Sequence, residues 1–210
     1  IEAVARTGKP MIMSTGMATK AEIEEAVNLV RSIGDNDITL LKCTSTYPAK
    51  IEDSNLATLS DLASTFACKV GLSDHTQGIA SAVAATALGA CVIEKHFVLD
   101  RNAGGVDAAF SMEPAELALL VNTCRQAAAS LGEVTYGGTQ AEQDFKKYRR
   151  SIYVSKDSKA GDVLNDSNIR IIRPSLGLAP KYWSEVLGKT LTEDVRKGDA
   201  LAWSMIDNNG

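Results

Sequence analysis

Only two histidines occur in the 210-residue chain, His75 and His96, and each closes a short apolar run: KVGLSDH over residues 69–75 and CVIEKHF over 91–97. Side chains alternate faces along a strand, so Glu94 and His96 share one face, as do Ser73 and His75. Two imidazoles and a nearby carboxylate suit a divalent metal that keeps open positions for water and a substrate oxygen, an arrangement able to polarise a carbonyl. The plainer alternative for either histidine is a structural hydrogen-bonding group at a strand end. A closed structural zinc site is disfavoured, because no cysteine falls at ligand spacing.

Hydroxyls crowd the same strand ends: Ser14 and Thr15, Thr44 and Ser45, and Ser73. With Gly16 freeing the backbone after the first run, they can hold an anion such as phosphate, or serve simply as helix caps. Tyr47, just before Pro48, either overhangs the strand ends or packs in its loop. Asp107, in the glycine-rich DRNAGGVDAAFS, either returns over the site or serves as a turn residue.

The elements that must position these groups follow from periodicity. Four runs, 10–15, 38–45, 69–75 and 91–97, are apolar at the start and polar at the end, as expected of parallel strands covered on both faces. Between them lie helix patterns. One starts at a Thr19/Glu22 capping box and stops at Gly34; others cover roughly 55–66, 78–89 and 113–131. Four strand–helix units in a row predict a parallel α/β sheet. Residues 1–134 then amount to the C-terminal half of a TIM barrel, whose active sites lie at the C-terminal ends of the strands. A Rossmann-type sheet is the rival, but no G-x-G-x-x-G follows any strand. A half-barrel leaves parallel edges unpaired, and the chain opens on IEAVARTGKP, which reads as the end of a helix capped by Gly8. These residues are therefore expected to complete a longer chain.

Residues 135–150, TYGGTQAEQDFKKYRR, read as a linker whose KKYRR cluster is a solvated run rather than a binding patch. Residues 151–210 read as a small β module with strand-like SIYVS, IRIIR and ALAWSMI. An internal repeat, DSKAGDVL at 157–164 and DVRKGDAL at 194–201, suggests pseudo-symmetry around turns at Gly161 and Gly198. A net charge of -4 offers nucleic acid nothing, and no apolar stretch is long enough to span a membrane. Four scattered cysteines without a CxxC pair fit a reducing cytoplasm, and small metabolites are the expected partners.

Taken together, STGMAT, LLKCTSTYPAKIED, VGLSDHTQGIA, GACVIEKHFVLD and RPSLGLAP resemble the sialic acid synthase family, and LKCTSTYP and RPSLGL are most similar to its pseudaminic branch. The resemblance implies a TIM barrel followed by an antifreeze-like (SAF) domain. It also implies condensation of phosphoenolpyruvate with an open-chain amino sugar to a nine-carbon 2-keto acid, with release of phosphate. By the same resemblance, His75 and His96 match ligands of Mn2+ or Mg2+. Ser14 and Ser73 match phosphoenolpyruvate contacts, Ser45 occupies the position of a further phosphate contact, and Tyr47, Glu94 and Asp107 match positions facing the sugar. Arg173 matches an arginine that reaches the partner's active site in a domain-swapped homodimer. Ser45 stands where sialic acid synthases proper carry Asn, and Val106 where Pro is usual. Rival readings are a metal-dependent aldolase and a non-catalytic sugar- or ice-binding protein.

Overall fold

The structure is a computed structural model, and it describes residues 1–207. It divides into two compact units, Ile1–Glu133 and Val134–Gly210.

In the first unit, a short helix α1 (Glu2–Ala5) precedes four strands that alternate with helices: β1 (Met11–Ser14), α2 (Lys20–Ile33), β2 (Ile38–Cys43), α3 (Thr58–Phe66), β3 (Lys69–Asp74), α4 (Ala80–Ala87), β4 (Val92–Lys95) and α5 (Pro114–Leu131). The strands pair in chain order, all parallel, as half of a (β/α)8 barrel. Helix α2 begins at Thr19, whose hydroxyl accepts from the Glu22 N–H while the Glu22 carboxylate accepts from the Thr19 N–H, and ends at Gly34. Strand parity divides the sheet into two faces. Met11, Ile38, Leu40, Val70 and Leu72 pack outward against Val27 and Val30 of α2, Leu59, Leu62 and Phe66 of α3, and Ala85 of α4. The inner face carries register rows: Ser14, Leu41, Gly71 and Val92, then Cys43, Ser73 and Glu94.

Each strand stops short of its apolar run, so Ser45, His75 and His96 stand just beyond the ladder rather than within it. The chain leaves the ladder there, and loop backbone takes over part of the hydrogen bonding: the His75 and His96 carbonyls accept from the Ala49 and Met112 N–H groups. Ahead of α3, a 310 turn over Ile51–Ser54 ends at Asn55 in the left-handed region, φ 43°, so the helix starts at Thr58 rather than at 55.

The second unit holds α6 (Gln140–Gln143), an antiparallel pair β5 (Ser151–Val154) and β6 (Ile169–Ile172), and α7 (Trp183–Val186). ALAWSMI differs from expectation. It contributes single bridges from Ala200 to Tyr153 and from Ile206 to Leu191, with a 310 turn over Trp203–Met205 between them. The repeat is a structural two-fold. Ser158 and Val195, its equivalent positions, exchange both backbone hydrogen bonds. Asp157 accepts from the Lys197 N–H at 2.7 Å, and Asp194 accepts from the Ala160 N–H at 3.0 Å, so each copy caps the other's turn. Gly161 and Gly198 adopt φ of 92° and 100° in those turns. Ile152, Val154, Leu164, Ile169, Val186 and Leu201 fill the core beneath.

Candidate active site

Consecutive parallel strands lie about 4.8 Å apart, so residues one step past a shared rung become neighbours. Asp74 pairs with Lys95 on the last rung of β3 and β4, and His75 and His96 follow them with ring centroids 5.2 Å apart. One rung lower on the same face, the Ser73 hydroxyl donates to Glu94 Oε1 at 2.6 Å. Ser73, His75, Glu94, Lys95 and His96 line a cavity of 190 Å³. A larger one, of 290 Å³, lies against Gln77, Arg101 and Met112 and touches neither histidine.

The environment of His75 decides its tautomer. Its Nδ1 lies 2.9 Å from the carbonyl oxygen of Thr44, which can only accept, so Nδ1 carries the proton and Nε2 presents a lone pair. The Lys42 amine, donating to the Cys43 carbonyl at 2.9 Å, braces this loop from the other side, and burial holds that amine below its usual range. His96 is more open, with 30% of its side chain accessible, and its Nδ1 lies 3.6 Å from Asp107 Oδ2. Tyr47 covers both rings: its centroid is 4.2 Å from that of His75 and 5.7 Å from that of His96. Phe110, on the loop after β4, stacks edge-on against His96 at 5.1 Å and approaches Tyr47 at 5.8 Å.

Among the sequence candidates, His75, His96, Ser73, Glu94, Tyr47 and Asp107 thus stand in one cluster. Ser45 borders it, with its Oγ 3.6 Å from Cys43 Sγ, beneath the Gly16 turn. Ser14 lies apart on β1, in the register row of Leu41 and Gly71, two strands from His75. Arg173 is exposed on the loop after β6, in the second unit. Among the described residues no three His, Cys, Asp or Glu side chains gather to hold a metal ion, and Glu94 engages Ser73 instead. Two imidazoles alone still fit an open cation site, because the His75 tautomer turns a lone pair outward.

Sequence reasoning overlooked Phe110 and the Asp74–Lys95 pair, and it read Thr44 for its hydroxyl rather than for its carbonyl. For the pair a signal existed: an aspartate and a lysine directly precede the two histidines, on the face the helices cover. Among the described residues no helix is long and apolar enough to cross a membrane.

The sequence of His75 and His96 with their neighbours can be set beside known proteins. The chain is 40% identical to pseudaminic acid synthase of Helicobacter pylori over 210 residues, covering all of this chain and 62% of that protein. It is 39% identical to N,N'-diacetyllegionaminic acid synthase of Campylobacter jejuni over 204 residues, covering 96% and 61%. The chain thus spans about three fifths of the length of these curated relatives. The crystal structure of N-acetylneuraminic acid synthetase from Leptospira borgpetersenii, in complex with citrate, superposes with a TM-score of 0.64 at 38% identity, over 69% of this chain and 50% of that one. The SAF domain model matches residues 149–207. The NeuB family model matches residues 1–136, and with its strand-end histidines and parallel half-barrel the chain belongs to the NeuB family.

Proposed function

We propose that the protein carrying this chain is a pseudaminic acid synthase. It condenses phosphoenolpyruvate with 2,4-diacetamido-2,4,6-trideoxy-L-altrose and water, giving a nine-carbon 2-keto sugar acid and phosphate. One observation carries the reading: His75, His96, Ser73 and Glu94 converge at the C-terminal strand ends, in a chain aligned along its whole length with a pseudaminic acid synthase. N,N'-diacetyllegionaminic acid synthase is a sibling reading, favoured by a nearly equal identity of 39%.

His75 and His96 would hold a divalent cation, Mn2+ or Mg2+, which when bound polarises the sugar aldehyde toward attack by the enol carbon. The rest falls to side chains. Thr44, by accepting from Nδ1, keeps the His75 Nε2 lone pair directed outward. Ser73 holds one Glu94 oxygen, which leaves the other to accept a sugar hydroxyl and so orient the aldehyde. Tyr47 and Phe110, stacked over the imidazoles, exclude water until the carbon–carbon bond has formed. Ser14, Ser45 and Ser73 supply donors for phosphoenolpyruvate, and Asp107 accepts from the sugar. Arg173 acts in trans within a homodimer, on the acetamido group of the partner's substrate.

The test is phosphate release from phosphoenolpyruvate by the protein carrying this chain, with and without chelator. The 2,4-diacetamido sugar is compared with N-acetylmannosamine. Chelator-sensitive release that depends on the diacetamido sugar is the expected result; release with neither sugar refutes the proposal.

A further inference from the structure

His75 and His96 sit past the end of the sheet, so something other than the ladder must set their relation. The β3–β4 ladder stops at the Asp74–Lys95 rung. On the outer flanks each histidine backbone is tied to a loop: the Ala49 N–H donates to the His75 carbonyl at 2.9 Å, and the Met112 N–H to the His96 carbonyl at 2.8 Å. Across the gap between the two strands, the continuing link is a side chain on the opposite face. Lys95 Nζ donates to Asp74 Oδ2 at 2.9 Å and also to the Thr76 carbonyl. Asp74 Oδ1 in turn accepts from the Thr76 N–H at 2.9 Å and its hydroxyl at 2.8 Å. One amine on β4 therefore grips β3 immediately before and immediately after His75.

Both charges are out of water: the Lys95 and Asp74 side chains are 4% and 1% exposed. Desolvation offsets most of the attraction in such a pair, and apolar replacement of both partners is often neutral for stability. What the pair supplies that an apolar contact lacks is direction, since each hydrogen bond has a preferred angle and distance. We infer that Asp74 and Lys95 are positioning residues: their ion pair sets the distance and relative orientation of the His75 and His96 rings, and through them the affinity for a divalent cation. The effect on affinity rests on the reading of the two histidines as cation ligands, whereas the effect on the rings does not.

The composition makes a clean test available, because histidine labelled with 15N in the ring alone reports only the two imidazoles of the 210-residue chain. In the double variant Asp74→Asn/Lys95→Met both charges are gone, while Asn retains the oxygen that accepts from Thr76. The expected result is a folded protein, by circular dichroism, in which the His75 Nδ1–H signal shifts or broadens and Mn2+ affinity, read by water-proton relaxation, falls roughly tenfold or more. Lys95→Arg, which keeps the cation, returns the imidazole signals toward wild type. Wild-type imidazole signals in a folded double variant overturn the inference. If the double variant does not fold, Thr76→Val decides: losing the hydroxyl donor to Asp74 shifts the His75 signal, and an unchanged spectrum refutes the positioning role. Absence of Mn2+ binding to the wild type counts against the cation reading alone; the imidazole spectra still decide the role of the pair.

Discussion

Gly71 lies on the inner face of β3, two rungs below Ser73, and Gly71→Ala tests whether this face is packed as described. An added Cβ falls 2.5 Å from Leu41 Cδ2 and 2.5 Å from the Val92 carbonyl oxygen, about 0.9 Å inside ordinary contact on each side. Leu41 can turn its methyl aside at modest expense. Val92 cannot yield in that way, because its oxygen belongs to the neighbouring strand. Overpacking a filled interior costs roughly 1–3 kcal/mol, and a backbone obstacle places this site near the upper figure. Restricting the unfolded chain returns about 0.4–1 kcal/mol, which leaves a net loss of about 2 kcal/mol. Urea unfolding followed by far-ultraviolet circular dichroism is the assay, since the four long helices all belong to the first unit. With a slope of about 1.5 kcal/mol per molar urea, the midpoint falls by more than about 1 M. Separating β4 from β3 also lengthens the Ser73–Glu94 hydrogen bond, so under the proposed function phosphate release falls with stability. A midpoint within about 0.3 M of wild type, an effect near 0.5 kcal/mol, refutes the close approach of these strands.

Thr19 holds the Glu22 carboxyl below the usual carboxylate range, chiefly through its backbone N–H and then its hydroxyl. The stabilisation it supplies is therefore full above about pH 4.3 and is lost as the pH falls through the lower folded-state value, so Glu22→Gln flattens the acid limb of a stability-versus-pH curve. In the second unit, Asp157→Ala and Asp194→Ala both lower the calorimetric melting temperature. Asp194→Ala is the more damaging, because Asp194 also pairs with Lys159 at 2.7 Å; equal tolerance of both changes contradicts the reciprocal caps. Mixing inactive His96→Ala and Arg173→Ala subunits restores about a quarter of wild-type activity, as random exchange requires when Arg173 serves the partner's site. No recovery removes Arg173 from that role. Under the proposed function, Phe110→Ala admits water to the strand-end imidazoles, so kcat falls more than KM rises, and an unchanged kcat excludes Phe110 from shielding the site.

Local pattern settles whatever depends only on neighbours along the chain. The alternation of S-D-H and E-K-H was enough to put Ser73 with His75 and Glu94 with His96, since a strand has period two wherever it lies. The T-x-x-E signal placed the start of α2 correctly, and the DSKAGDVL/DVRKGDAL repeat disclosed a two-fold, because caps and turns are chemistry over a few residues. Other features depend on where distant chain segments return, and no local period encodes that. Thr44 supplies the carbonyl that chooses the His75 tautomer only because β2 lies beside β3. Phe110 reaches His96 only because the loop after β4 folds back through a Phe97–Met112 bridge. ALAWSMI, strand-like in composition, forms only isolated bridges at Ala200 and Ile206, because a 310 turn over Trp203–Met205 interrupts it. From sequence alone came the face each side chain occupies and the chemistry it can perform. Tertiary structure alone decided which side chains meet, and hence that Lys95 is buried against Asp74 behind the two histidines, because long-range register is set by how the whole sheet closes on its core.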